Sequence, residues 1–169
     1  MIFLTIGTHE PFDRLVRALD DWCDQNTGHH EIIAQVVFPA TDAYRPRHFD
    51  TVAHLSPKDY EAHIGAADLI VSHAGMGSIL TAFTHGKPIV IMPRRGHLHE
   101  TRNDHQYTTV KNLGNRPGLF VAEDEAAFPG IMDTALTAIG GPAPPRLSDM
   151  ADPGFTDALR SFILSSRQR

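Results

Sequence analysis

Short runs of β-branched and apolar residues alternate along this chain with amphipathic segments of helical length, and few folds accommodate that alternation. A buried parallel strand reads as a brief apolar run and its return crossover reads as a helix. The pattern therefore predicts an α/β fold, a Rossmann-like parallel sheet with helices on both faces. Ile2–Ile6 is the first strand, and Pro11 leads a first helix carrying Phe12, Leu15, Val16 and Leu19 at helical spacing. Ile32–Phe38 and Val52–Leu55 follow as strands, and Ser56-Pro57 opens a helix with a serine cap and a first-turn proline, ending near Gly65. Leu69–Val71 and Ile89–Met92 read as buried strands around a helix over Ser78–Thr84 closed by Gly86. Asn103–Leu113 and Asp124–Ile139 read as helices flanking a strand at Leu119–Val121. At 169 residues and 41% hydrophobic the chain has material for one core. The expected organisation is a Rossmann-like domain over residues 1–139, a Pro/Gly-rich linker over 140–153, and a C-terminal helix over 154–169.

Several classes are excluded on composition. No apolar stretch approaches the roughly 20 residues of a membrane helix. The N-terminus enters a strand without a basic start or cleavage site, so a cytoplasmic protein is expected. The lone Cys23 has no internal disulfide partner. A net charge of -5 supplies no basic field for nucleic acid. Eleven histidines raise the question of a metal.

Parallel α/β sheets bind ligands beyond the carboxyl ends of their strands, which directs attention to three loops. Gly7-Thr8-His9-Glu10 follows the first strand, with a glycine for a tight turn and a hydroxyl and imidazole for a polar ligand. Ser72-His73-Ala74-Gly75-Met76-Gly77-Ser78 runs from a buried strand into a helix. Its glycines permit close backbone approach, and the helix start offers unpaired N–H groups to a diphosphate. It has neither the Gly-Lys-Ser/Thr of a P-loop nor the third glycine of a dinucleotide fingerprint. Pro93–Gln106 is long and rich in multidentate side chains, including Asn103, Asp104 and Gln106, of the kind that sugar hydroxyls require. A solvated loop capped by Asn103 or Asp104 is the plain alternative.

In this order, Gly7-Thr8-His9, Ser72-His73-Ala74-Gly75-x-Gly77-Ser78, Gly86-Lys87-Pro88 and Asn103-Asp104-His105-Gln106 resemble the C-terminal, donor-binding domain of family 28 glycosyltransferases, over about Met1 to Ala138. The likeness is greatest to the small catalytic subunits of split exopolysaccharide glucuronosyltransferases and of the eukaryotic dolichol-linked UDP-GlcNAc transferase. The resemblance implies the C-terminal half of a GT-B fold. It implies an inverting transferase that moves a sugar, glucuronate first and N-acetylglucosamine second, from a UDP-sugar to a lipid-linked acceptor. On that resemblance Gly7, Thr8, His9, His73, Gly75, Met76, Gly77 and Ser78 face the diphosphate, Leu55 and Ser56 the uracil, and Asn103, Asp104 and Gln106 the sugar. Arg94, Arg95 and Arg102 are candidates to pair with a glucuronate carboxylate. Relatives often carry an acid for the ribose where this chain has Thr81. The acceptor side is expected from a membrane-anchored partner subunit that recruits the chain to the inner face of the membrane. No metal or other cofactor is expected. His9 and His73 are the imidazoles within reach of a catalytic role, but the base is expected on the partner. The helix face of Phe155, Leu159, Phe162 and Ile163 suits either a partner or the chain's own domain.

Two other readings compete. His97-x-His99 with Asp104-His105 has the flavour of a zinc-hydrolase motif, but four residues separate His99 from Asp104 where that motif has one. A non-catalytic UDP-sugar-binding or regulatory protein would keep the same pocket.

Overall fold

A computed structural model describes residues 1–7, 10–26, 30–38, 43–114, 116–148 and 153–166. Its elements are β1 (Ile2–Thr5), α1 (Asp13–Gln25), β2 (Ile32–Gln35), β3 (Thr51–Val52), α2 (Pro57–Ala66), β4 (Leu69–His73), α3 (Met76–His85), β5 (Ile89–Met92), a 3-10 turn (Gly96–Leu98), α4 (His105–Leu113), β6 (Leu119–Val121), α5 (Phe128–Ala138) and α6 (Pro153–Ser166). The six strands form one sheet in the order β3-β2-β1-β4-β5-β6, each neighbouring pair parallel. This is the doubly wound order, which reverses direction between β1 and β4.

Period-two alternation divides the strand side chains between two cores. Ile2 and Leu4 pack with Leu15, Val16, Leu19 and Trp22 of α1 and Phe128 and Met132 of α5. Phe3 and Ile70 turn to the opposite face, against Ile64 of α2 and Ile79, Ala82 and Phe83 of α3. The helix ends follow local chemistry. The Ser56 Oγ accepts from the Asp59 N–H at 3.1 Å and caps α2. Gly86, at φ 64°, closes α3 in the left-handed region.

Several boundaries differ from the sequence expectation. Pro11 lies before α1, which starts at Asp13, because the Pro11 carbonyl accepts from the Arg94 guanidinium at 2.6 Å instead of entering the helix ladder. α4 starts at His105, and α5 starts at Phe128 after Asp124 turns the chain by accepting from the Ala127 N–H at 2.8 Å. β2 stops at Gln35, where its ladders with both β1 and β3 end. β4 extends through His73, and Met76, Gly77 and Ser78 belong to α3. The loop between them is thus only Ala74 and Gly75.

The segment after α5 is laid against the domain. The Leu147 N–H donates to the Phe83 carbonyl at 3.1 Å, and Gly118 and Gly86 leave room for Pro144 and Arg146, whose side chains a Cβ at either glycine would strike. α6 leaves Phe155, Leu159, Phe162, Ile163 and Leu164 between 47% and 69% exposed, so its apolar face is not buried on this domain. Among the described residues no helix is long and apolar enough to cross a membrane.

Candidate functional site

β1 and β4 lie side by side at the point where the sheet reverses, and the turns at their carboxyl ends face a common crevice. The His73 imidazole occupies the space between them. A Cβ on Gly7, which sits at φ 81°, would lie 3.3 Å from His73 Cε1, and one on Gly75 would lie 2.2 Å from His73 Nε2. Gly75 therefore makes room for the imidazole, a packing reason for the glycine that the sequence did not disclose. Ser72 Oγ donates to the Thr5 carbonyl at 2.8 Å and stands 3.3 Å from His73 Nδ1. Burial, reinforced by the nearby Arg94 guanidinium, pushes His73 down to about 4. The ring is neutral at physiological pH and too weak a base to take a proton from a hydroxyl efficiently.

Gly77 is the opposite case: nothing lies within 4 Å of a Cβ placed there. Packing does not demand a glycine at this position, yet the residue lines a cavity. No side chain caps the start of α3, so its first N–H groups are left for a ligand or solvent.

Two cavities meet at this point. The first, of about 450 Å³, is lined by Leu55 and Pro57 at its apolar end, by Tyr60 and Glu61 of α2, by Gly77, Ser78 and Thr81 of α3, and by Thr5 and Gln35 on its floor. The second, of about 320 Å³, is lined by Glu10, Arg94, Thr101, Arg102, Asn103, His105 and Gln106. Gly7 and His73 line both. The floor is a polar patch in an apolar sheet. Thr5 Oγ1 donates to Gln35 Oε1 at 3.2 Å, and burial pushes the Tyr60 hydroxyl up from its ordinary value.

The loop after β5 is braced throughout. Arg94 is 3% exposed, and its guanidinium donates to the carbonyls of Ile6, Glu10, Pro11 and Glu100 at 2.6–3.0 Å while lying 4.7 Å over the Phe12 ring. It bolts the β1 turn to the β5 loop and has little left for a sugar carboxylate. Arg95 is directed elsewhere, to the Tyr107 hydroxyl at 3.0 Å and toward Asp124 beyond β6, and lines neither cavity. Of the three arginines, Arg102 is the one left to serve the second cavity. Arg14 grips Glu100 through both carboxylate oxygens at 2.7 and 2.8 Å, and Glu100 also accepts from the Arg95 N–H.

Asp104 does not cap α4; its Oδ1 accepts from the Gly96 N–H at 2.8 Å and ties the loop to itself. Asn103 bonds His105 and lines the second cavity. Gln106 is 5% exposed, its Oε1 accepting from the Arg94 N–H at 3.0 Å, so its amide nitrogen is the end free to address that cavity. Leu55 lines the first cavity, whereas the Ser56 hydroxyl is spent on its helix. Met76 lines neither. Thr8 and His9 lie outside the described residues. The sequence reading passed over Thr5, Gln35, Tyr60, Glu61 and the lining role of Glu10. Buried polar residues at the carboxyl ends of β1 and β2 were the available signal. Among the described residues no three His, Cys, Asp or Glu side chains gather where they could hold a metal ion.

The chain is 31% identical over 126 residues to the UDP-N-acetylglucosamine transferase subunit ALG13 of Mus musculus, across 70% of this chain and 10% of that protein. It is 30% identical over 102 residues to the UDP-N-acetylglucosamine–N-acetylmuramyl-(pentapeptide) pyrophosphoryl-undecaprenol N-acetylglucosamine transferase of Phocaeicola vulgatus, across 59% of this chain and 26% of that protein. It thus spans a tenth to a quarter of the length of these relatives. The crystal structure of the kitacinnamycin glycosyltransferase superposes with a TM-score of 0.56 at 19% identity, over 83% of this chain and 35% of that one. The fold is that of the C-terminal half of a GT-B glycosyltransferase. Residues 1–139 match the glycosyltransferase family 28 C-terminal domain, and the chain belongs to that family.

Proposed function

We propose that this domain holds a UDP-sugar across the two cavities and is the donor-binding, catalytic subunit of an inverting glycosyltransferase completed by a second chain. One observation carries the reading: two cavities of nucleoside and hexose size meet at Gly7 and His73, beside the uncapped start of α3. The nucleoside takes the first cavity, with its base toward Leu55 and Pro57, and the sugar takes the second, against Asn103 and Gln106. The diphosphate spans the junction, where helix-start N–H groups offset the charge that grows on the UDP leaving group. No metal is required for that.

The acceptor hydroxyl still needs a base. His73 is held too far down the pH scale to be a good one, and our reading assigns the base to the partner. The exposed face of α6, with Leu159, Ile163 and Leu164, is suited to docking that partner. The Phocaeicola relative is named for a pyrophosphoryl-undecaprenol substrate and the mouse relative for being a subunit, which supports a lipid-linked acceptor and a membrane-anchored partner for this chain. Both names give N-acetylglucosamine as the sugar. Arg102 at the second cavity favours a second reading, in which glucuronate for exopolysaccharide is transferred.

Reconstitution with the partner chain and a screen of UDP-sugars tests the proposal. Transfer to the lipid-linked acceptor is expected from the complex and almost none from the chain alone. Full-rate transfer by the chain alone, or none by the complex with any UDP-sugar, would overturn it.

A further inference from the structure

Glu61 is the one carboxylate among the residues lining the first cavity, and the seats proposed above for the diphosphate and the sugar make no use of it. Pro57, Tyr60 and Glu61 share one face of α2, and Gly77, Ser78 and Thr81 share one face of α3, so the two helices form facing walls. His85 follows Thr81 by one turn on that α3 face, and its Nε2 lies 2.8 Å from Glu61 Oε2. The carboxylate is thereby tied to α3, one turn beyond Thr81, which lines the same cavity. Stability does not explain this arrangement, because the Glu61 side chain is 57% exposed and an exposed pair contributes little.

Position does explain it. Thr81 stands four residues beyond Gly77, about 6 Å further along α3. A nucleoside diphosphate whose phosphates sit at the start of α3, and whose base reaches Leu55 and Pro57, places its ribose between them at that level. A carboxylate accepts several hydrogen bonds at once, so the bond to His85 leaves capacity for a diol.

We infer that Glu61, positioned by His85 and flanked by Thr81, accepts the ribose hydroxyls and makes the site selective for ribonucleotides over deoxyribonucleotides. This rests on the UDP-sugar reading of the cavity. The recognising acid would then come from α2, on the wall opposite the glycines.

Calorimetric titrations of the wild-type chain and Glu61→Gln with UDP and with 2′-deoxy-UDP test it. Wild type is expected to prefer UDP by about tenfold, the value of a hydrogen bond to a charged acceptor. Glu61→Gln is expected to reduce that preference to under about threefold by weakening UDP, with the deoxynucleotide affinity nearly unchanged. Since Glu61 is exposed, the variant should melt close to wild type, which keeps folding out of the comparison. A preference that survives Glu61→Gln, or equal wild-type affinity for the two nucleotides, overturns the role of Glu61 and leaves the UDP site standing. A wild-type chain that binds neither removes both.

Discussion

Gly77→Ala should stabilise the protein and weaken its ligand, and the opposite signs make it a discriminating substitution. Gly77 is the second residue of α3, and a methyl group there meets no protein atom within 4 Å. Replacing glycine by alanine within a helix contributes about 0.5–1 kcal/mol, partly by reducing the freedom of the unfolded chain. In a domain of this size that raises Tm by about 1–4 °C. The same methyl projects into the first cavity at the start of α3, where the diphosphate must approach the backbone. Losing one hydrogen bond to a charged phosphate oxygen costs about 2 kcal/mol, or about thirtyfold in Kd for UDP. Thermal melting of the free protein and calorimetry with UDP read the two effects separately. A higher Tm with unchanged UDP affinity would refute the diphosphate seat. A lower Tm would mean that the space beside Gly77 is needed for packing.

Three further outcomes follow from the same geometry. Gly75→Ala should destabilise by about 1–3 kcal/mol in urea unfolding, because its Cβ would fall 2.2 Å from His73 Nε2. Combining it with His73→Ala should recover most of that loss, and strict additivity would contradict the contact. His73 titrates at an ordinary 6.5 when unfolded and about 4 when folded, so between those values only the unfolded chain takes up the proton. Stability should fall by about 3 kcal/mol as pH drops from about 6.5 to about 4 and level off below. His73→Asn should lack that component in pH-dependent melting, and an identical slope would rule it out. Gln106→Glu keeps the acceptor for the Arg94 N–H while removing the amide donor. Turnover of the complex should drop more than tenfold, with UDP affinity within about twofold; equal losses in both would show that Gln106 only supports the loop.

The sheet and the turns at its carboxyl end were legible because their signals are local. Apolar runs such as Ile89–Met92 and the glycines around His73 announce a buried strand, a turn and a helix start within a few residues. The bracing of the site was not legible, because its bonds are distant in sequence. Arg94 looked like a loop cation free for a carboxylate, yet it donates to the Ile6 carbonyl 88 residues away and to three other carbonyls. Gln106 matched a sugar-contacting position, but nothing local showed that its oxygen would be taken by the Arg94 N–H. The α2 wall was hidden for the same reason. Tyr60 and Glu61 become lining residues only once α2 packs beside α3 across β4. The segment after α5 has a linker's composition, and the space left by Gly118 and Gly86 lets Pro144 and Arg146 lie against the domain.

The central claim is that α3 and the two cavities bind a uridine diphosphate through backbone groups, and metal-free calorimetry tests it most directly. The chain, titrated in chelator with UDP and then with ADP, should bind UDP with at least about tenfold preference and show no gain on adding Mg²⁺. No UDP binding, equal affinity for ADP, or binding that appears only with Mg²⁺ would contradict it.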